Sequence, residues 1–157
     1  MSYRWLRDGK PISGAWSSTY KVTKADIGRK LSLRVTARGP EGYTTSTATS
    51  VARTVAKVKP TVKVTVPTTA TAGRTIKVTV RVTASGVTTK PTGKVTVRYG
   101  ASSKTVNLVY AHEGKVTVTL PAMTRGDRTV RATYTPSSAL AKYLTTAQST
   151  AVTLRVR

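Results

Sequence analysis

Strict alternation is the feature that most constrains what this chain can fold into. In the second half, Val62, Val64 and Val66 alternate with Lys63 and Thr65, and Ile76, Val78, Val80 and Val82 alternate with Lys77, Thr79, Arg81 and Thr83. The same period returns over 95–99, 116–120, 130–134 and 152–156, with a weaker run over 104–109. Successive side chains of an extended strand leave on opposite faces, so a period of two specifies one buried and one wetted face. Composition agrees: 21 Val and 31 Thr, both β-branched and stiff, stand beside no Phe at all. The segments 67–73, 85–93, 99–103, 112–114, 121–127 and 136–141 separate the runs and hold most of the Gly and Pro. The expectation is an all-β chain, and seven short strands over 61–157 match the count of an immunoglobulin-like sandwich.

The first half is shorter. Arg4-Trp5-Leu6-Arg7 reads as a strand and Asp8-Gly9 as a tight turn. Residues 18–22 form a candidate short strand, 25–28 a turn, and Leu31, Leu33, Val35 and Ala37 the inward side of the next strand. Gly39 to Gly42 reads as a hairpin loop from which 43–55 returns. Four or five strands in so few residues make a marginal domain. The expected division is 1–56, a linker at 57–60 marked by Pro60, and 61–157.

Charge is the second constraint. Twenty-seven Lys and Arg face five acids, a formal +22. Both halves share it: 1–59 holds 12 basic and 3 acidic residues, and the remainder 15 and 2. Such a field attracts polyanions and repels copies of itself. Nucleic acid, wall polymers of the teichoic-acid type, acidic glycans and anionic membrane surfaces are the candidate partners. The absence of Cys excludes disulfides, thiolate metal sites and a cysteine nucleophile. No stretch approaches the length of an apolar membrane span. Met1-Ser2 runs directly into a strand-like segment, so the expectation is a piece of a longer protein, and a missing leader then says little about location.

The residues 5–15 (Trp5-Leu6-Arg7-Asp8-Gly9-Lys10-Pro11-Ile12-Ser13-Gly14-Ala15), then Ser18 to Thr23, Ala25 to Thr36 and Gly42-Tyr43 resemble a repeat of actinobacterial secreted and cell-wall proteins. Those repeats are immunoglobulin-like modules, often in tandem. The resemblance implies that Trp5 is the buried tryptophan of the third strand and that Asp26-x-Gly28 is the corner before the next-to-last strand. The family repeat has two more strands ahead of the Trp segment, so the resemblance implies a truncated first module with an open edge and an uncovered face. Residues 61–157 resemble a second bacterial immunoglobulin-like repeat through Gly93-Lys94-Val95-Thr96-Val97, Gly114 to Pro121, and Val130-Arg131-Ala132-Thr133-Tyr134. Modules of this kind serve as spacers, stalks or adhesion domains. The fold class expected is therefore two tandem immunoglobulin-like antiparallel β-sandwiches, the first incomplete.

Catalytic equipment is sparse. His112 is the only His and sits in a turn, where nucleophilic catalysis would need it beside a nucleophile. Asp8, Asp26, Glu41, Glu113 and Asp127 each fall in turns, and no two lie within ten residues, against a carboxylate pair or a calcium site. There is no phosphate-binding Gly-rich loop. No cofactor or metal is expected, and no enzyme. Among aromatics outside the strand pattern (Trp16, Tyr20, Tyr43, Tyr110, Tyr143), Trp16 is the best candidate for stacking on a sugar, against a role in capping the sandwich end.

The basic residues carry the remaining signal. Alternation turns Arg98, Arg131 and Arg155 outward on three strands that are neighbours in an immunoglobulin-like order, with Arg157, Lys94 and Arg128 close by. These six form the expected cationic ladder, and Lys63, Lys77, Arg81 and Lys115 furnish the opposite sheet. The alternative is that cationic strand faces only protect edges and keep the module soluble. The function expected is a non-catalytic extracellular spacer or adhesion pair held near an anionic cell-wall polymer. The alternatives are a carbohydrate-binding accessory of a secreted hydrolase and nonspecific nucleic-acid binding. Sequence-specific reading of nucleic acid is not expected, because no recognition helix is visible and no aromatics interleave with the ladder.

Overall fold

The computed structural model describes residues 1–157 except Tyr43 and Thr88. The chain is all-β with antiparallel sheets and divides into two compact units, Met1–Lys57 and Val58–Arg157. The boundary falls inside the expected linker. Val58 already belongs to the second unit: its N–H donates to the Tyr143 carbonyl at 2.8 Å and its own carbonyl accepts from Thr145 at 3.0 Å.

The first unit is one sheet. Its strands are β1 (Ser2–Arg7), β2 (Lys10–Pro11), β3 (Lys30–Ala37), β4 (Ser46–Thr49) and β5 (Arg53–Thr54), in the order β2-β1-β3-β4, with β5 also on β3. Asp8 and Gly9 both take positive φ, 49° and 78°, so the β1–β2 hairpin closes through the two-residue turn that Asp-Gly favours. The candidate strand at 18–22 does not form. Tyr20 in that segment instead packs beside Trp5, centroids 5.6 Å apart, and donates to Asp26 at 3.0 Å. Trp5 is half-buried rather than enclosed, and its Nε1 donates to the Ser17 carbonyl at 3.1 Å. The expected return strand at 43–55 is broken into β4 and β5, and its first residue, Tyr43, lies outside the described residues.

The buried feature of this unit is polar. Asp26, in a 3-10 turn at Lys24–Asp26, is fully enclosed and accepts from Arg7 Nε at 2.7 Å, from the Thr23 N–H at 2.6 Å, from the Thr23 hydroxyl at 2.8 Å and from Tyr20. Burial alone would push its carboxyl pKa up. The hydrogen bonds from Thr23, Arg7 and Tyr20 outweigh that and hold it below the usual carboxylate value.

The second unit is two sheets face to face. One holds β6 (Thr61–Thr65), β7 (Ile76–Thr83) and β10 (Lys115–Leu120) in the order β10-β7-β6. The other holds β8 (Gly93–Tyr99), β9 (Ser102–Leu108), β11 (Gly126–Pro136), β12 (Ala147–Gln148) and β13 (Val152–Val156), in the order β12-β11-β8-β9 with β13 also on β11. Every run that alternation marked is a strand. Val78, Val80 and Val118 from one sheet and Val95, Val97, Val130 and Tyr134 from the other join a single buried cluster, all wholly inaccessible to solvent. Between the sheets, Lys104 of β9 donates its ammonium to the Thr119 carbonyl of β10 at 2.7 Å, satisfying an edge acceptor that would otherwise invite pairing. No helix among the described residues is long and apolar enough to cross a membrane.

Candidate functional site

With Val78, Val80 and Val82 turned into the core, Lys77, Thr79, Arg81 and Thr83 of β7 must face solvent, and the same parity turns out Lys63 of β6 and Lys115 of β10. Register then aligns three of them. Lys63 lies directly opposite Arg81, and Arg81 directly opposite Lys115, so one row crosses the whole sheet at strand spacings of about 4.8 Å. The neighbouring row is Thr65, Thr79 and Thr117, and beyond it Lys77 pairs with Thr119. All four cations are exposed, and none of the residues of β6, β7 and β10 is acidic. The acid closest in sequence, Glu113, is taken up by Lys90 at 3.0 Å. Successive members of the row sit within the Debye length of about 8 Å at physiological salt, so their fields add. Like charges directly opposite destabilise a sheet, so the row gains from an anion laid along it.

The expected ladder on the other sheet is shorter than alternation implied. Arg98 and Arg131 are exposed and directly opposite one another on β8 and β11. Arg155 does not continue their row. The β11–β13 pairing sets it opposite Asp127, four residues along from Arg131 and so about 13 Å away, beside an acid. Lys94 lies four residues from Arg98 in the other direction, opposite Thr135 and Asn107. Arg128 falls on the inward parity of β11 at its end, half-buried, and donates to the Asp127 carbonyl at 3.1 Å and to Thr124 Oγ1 at 3.0 Å. Arg157 is exposed past the end of β13, where its N–H donates to the Ala70 carbonyl. The six residues therefore reduce to one opposed pair, because β13 meets β11 over Gly126 to Val130 and not beside Arg131.

In the first unit, Trp16 is 63% exposed. The guanidinium carbon of Arg4 lies 5.5 Å from its ring centroid. Arg4 stands directly opposite Arg34 of β3, and these side chains line a shallow groove of about 710 Å³ with Pro11, Thr36 and Ser2. Of the other aromatics outside the strand pattern, Tyr110 is exposed and Tyr143 partly buried.

The titratable groups that alternation left over are tied into turns. His112 Nδ1 accepts from the Val109 N–H at 3.3 Å, and Asp8 accepts from Lys30 N at 2.9 Å and from Arg29 at 3.1 Å. Sequence reasoning named Lys63, Arg81 and Lys115 but ranked them second, because alternation gives the face of a residue and not its cross-strand partner. It missed Arg4 and Arg34, although both alternate with apolar strand residues, Trp5 and Leu33. No protein-family model matches the chain, and no curated protein matches it.

Proposed function

We propose that the chain is a non-catalytic pair of immunoglobulin-like modules, a spacer or adhesion segment of an extracellular protein, whose second unit holds a linear polyanion along Lys63, Arg81 and Lys115. The observation that carries the reading is the register of that row: three exposed cations opposed across three strands that carry no acidic residue. A flat sheet face offers no enclosed pocket to select one small molecule. It suits a repeating chain whose charges recur, such as a phosphate-linked wall polymer. The order of the strands supports the immunoglobulin-like part: β6, β7 and β10 in one sheet, and β8, β9, β11 and β13 in the other.

The test is retention on immobilised polyglycerol phosphate across a salt series. Lys63→Glu/Arg81→Glu/Lys115→Glu loses retention and flattens the salt dependence, while Arg98→Glu/Arg131→Glu weakens it far less. Equal retention of the parent and the triple variant overturns the proposal. Preference for duplex DNA over the wall polymer at matched charge and salt assigns the row to nucleic acid instead.

A further inference from the structure

We infer that the groove between Arg4, Arg34 and Trp16 in the first unit is a binding site for an acidic saccharide, one whose ring carries a carboxylate, sulfate or phosphate. The site is built from residues of the first unit alone.

The argument begins with register. Arg4 of β1 and Arg34 of β3 are directly opposed on adjacent strands, and among the described residues neither has a carboxylate within 4.0 Å. In the same unit Arg7 and Arg29 each hold an Asp, at 2.7 and 3.1 Å. Two arginines without a carboxylate, on directly opposed strand positions and lining one groove, suit a planar or tetrahedral anion.

The aromatic fixes the class of ligand. Arg4 rests on Trp16 at 5.5 Å from the centroid, which holds a guanidinium by its π-face and leaves its N–H edges free to donate. At 63% exposure most of the indole stays open to a second partner. An exposed indole beside charged donors suits a sugar, whose C–H face stacks on the ring while its acid group meets the arginines. Pro11 supplies further apolar floor, and Thr36 and Ser2 supply hydroxyls for the ring oxygens. A groove of about 710 Å³ falls within the usual range of ligand sites. Among the described lining residues Trp16 is the one largely exposed aromatic, Tyr3 beside it being partly buried, whereas proteins that track single-stranded nucleic acid use several exposed platforms in succession.

The experiment is calorimetric titration of the whole chain with an oligogalacturonate and with a neutral galactose oligomer of equal length. The parent binds the uronate at least about tenfold more tightly than the neutral oligomer, and Trp16→Ala and Arg34→Gln each reduce uronate affinity by about tenfold. Trp16→Phe restores part of the loss, which separates stacking from any change in fold. The variant Lys63→Glu/Arg81→Glu/Lys115→Glu keeps the site's uronate binding, so failure of the wall-polymer reading leaves this one standing, and the reverse. Uronate binding that is indifferent to Trp16→Ala and Arg34→Gln overturns the inference. So does binding abolished by the second-unit variant alone, or tighter binding of a single-stranded oligonucleotide at the same site.

Discussion

Arg7 Nε donates to Asp26 Oδ1 across 2.7 Å, and because Asp26 is wholly buried this bond ties strand β1 to the turn that introduces β3. Among the described residues of that unit few apolar side chains are buried, Leu6, Ala15 and Leu31, so a polar anchor carries an unusual share of its stability. Asp26→Ala leaves Arg7, Tyr20 and the Thr23 N–H without their acceptor. Asp26 is enclosed while Arg7 keeps 31% of its side chain in solvent, so the loss falls below the ~3–5 kcal/mol of a fully buried pair but is still large against the stability of a small domain. Limited proteolysis of Asp26→Ala should cut within 1–57 while 58–157 stays resistant. An unchanged cleavage pattern contradicts the anchor role.

Acid should act through the same carboxylate. The folded-state pKa of Asp26 is lowered, its hydrogen bonds outweighing burial, so its contribution is fully present above the ordinary carboxylate value. That contribution is lost as pH falls through the ordinary value toward the lower folded one. Trp5 packs beside Tyr20, an Asp26 partner, and reports on the unit. In a Trp16→Phe background, Trp5 fluorescence should show an acid-induced unfolding transition that Asp26→Asn removes or flattens.

At the alkaline end the second unit answers to Tyr134. Its ring is wholly buried, its hydroxyl donates to the Thr92 carbonyl at 2.8 Å, and burial pushes the phenol up to about 12. The folded-state value is raised, so the stabilisation is complete below the ordinary tyrosine range and is lost as pH rises through it toward about 12. Tyr134→Phe should lose about 1 kcal/mol at neutral pH with the hydrogen bond. Denaturation midpoints measured against pH should show a shallower alkaline decline in Tyr134→Phe than in the parent.

The cationic row makes stability and binding move in opposite directions. Arg81→Glu replaces two directly opposed repulsions, with Lys63 and Lys115, by attractions. Cross-strand charge pairs are worth roughly 0.2–1 kcal/mol each, so the thermal midpoint should rise at low salt and the gain should fade at high salt. Retention on anionic polymer should fall in the same variant. A midpoint that drops would show that Arg81 is stabilised by something other than its neighbours.

Gly93 is a backbone requirement and not a flexible joint. It opens β8 at φ +147°, opposite Pro136 of β11, and an added Cβ would run into the Thr135 carbonyl oxygen and come within 2.7 Å of Ser137 N. Gly93→Ala should lower the denaturant midpoint of the second unit by the equivalent of about 1–3 kcal/mol without altering the slope of the transition.

Sequence alone determined where seven strands of the second unit run and which of their faces is buried, although β9 and β11 begin inside segments read as loops and β12 was not foreseen. Val78, Val97 and Val130 are at zero exposure because a two-residue period admits only one way of hiding their side chains. The Asp8-Gly9 turn was equally legible, since only particular residues tolerate positive φ in succession. The tertiary structure alone decided who stands beside whom. Alternation turns Arg155 and Lys63 outward with equal force, yet pairing sets Arg155 against Asp127 and Lys63 against Arg81. Alternation is a property of a single strand, whereas register depends on loop lengths and on the fit of two sheets, which no local stretch encodes. The same holds for Asp26, a turn acid by sequence, whose four donors from Arg7, Tyr20 and Thr23 converge only once the chain has closed around it.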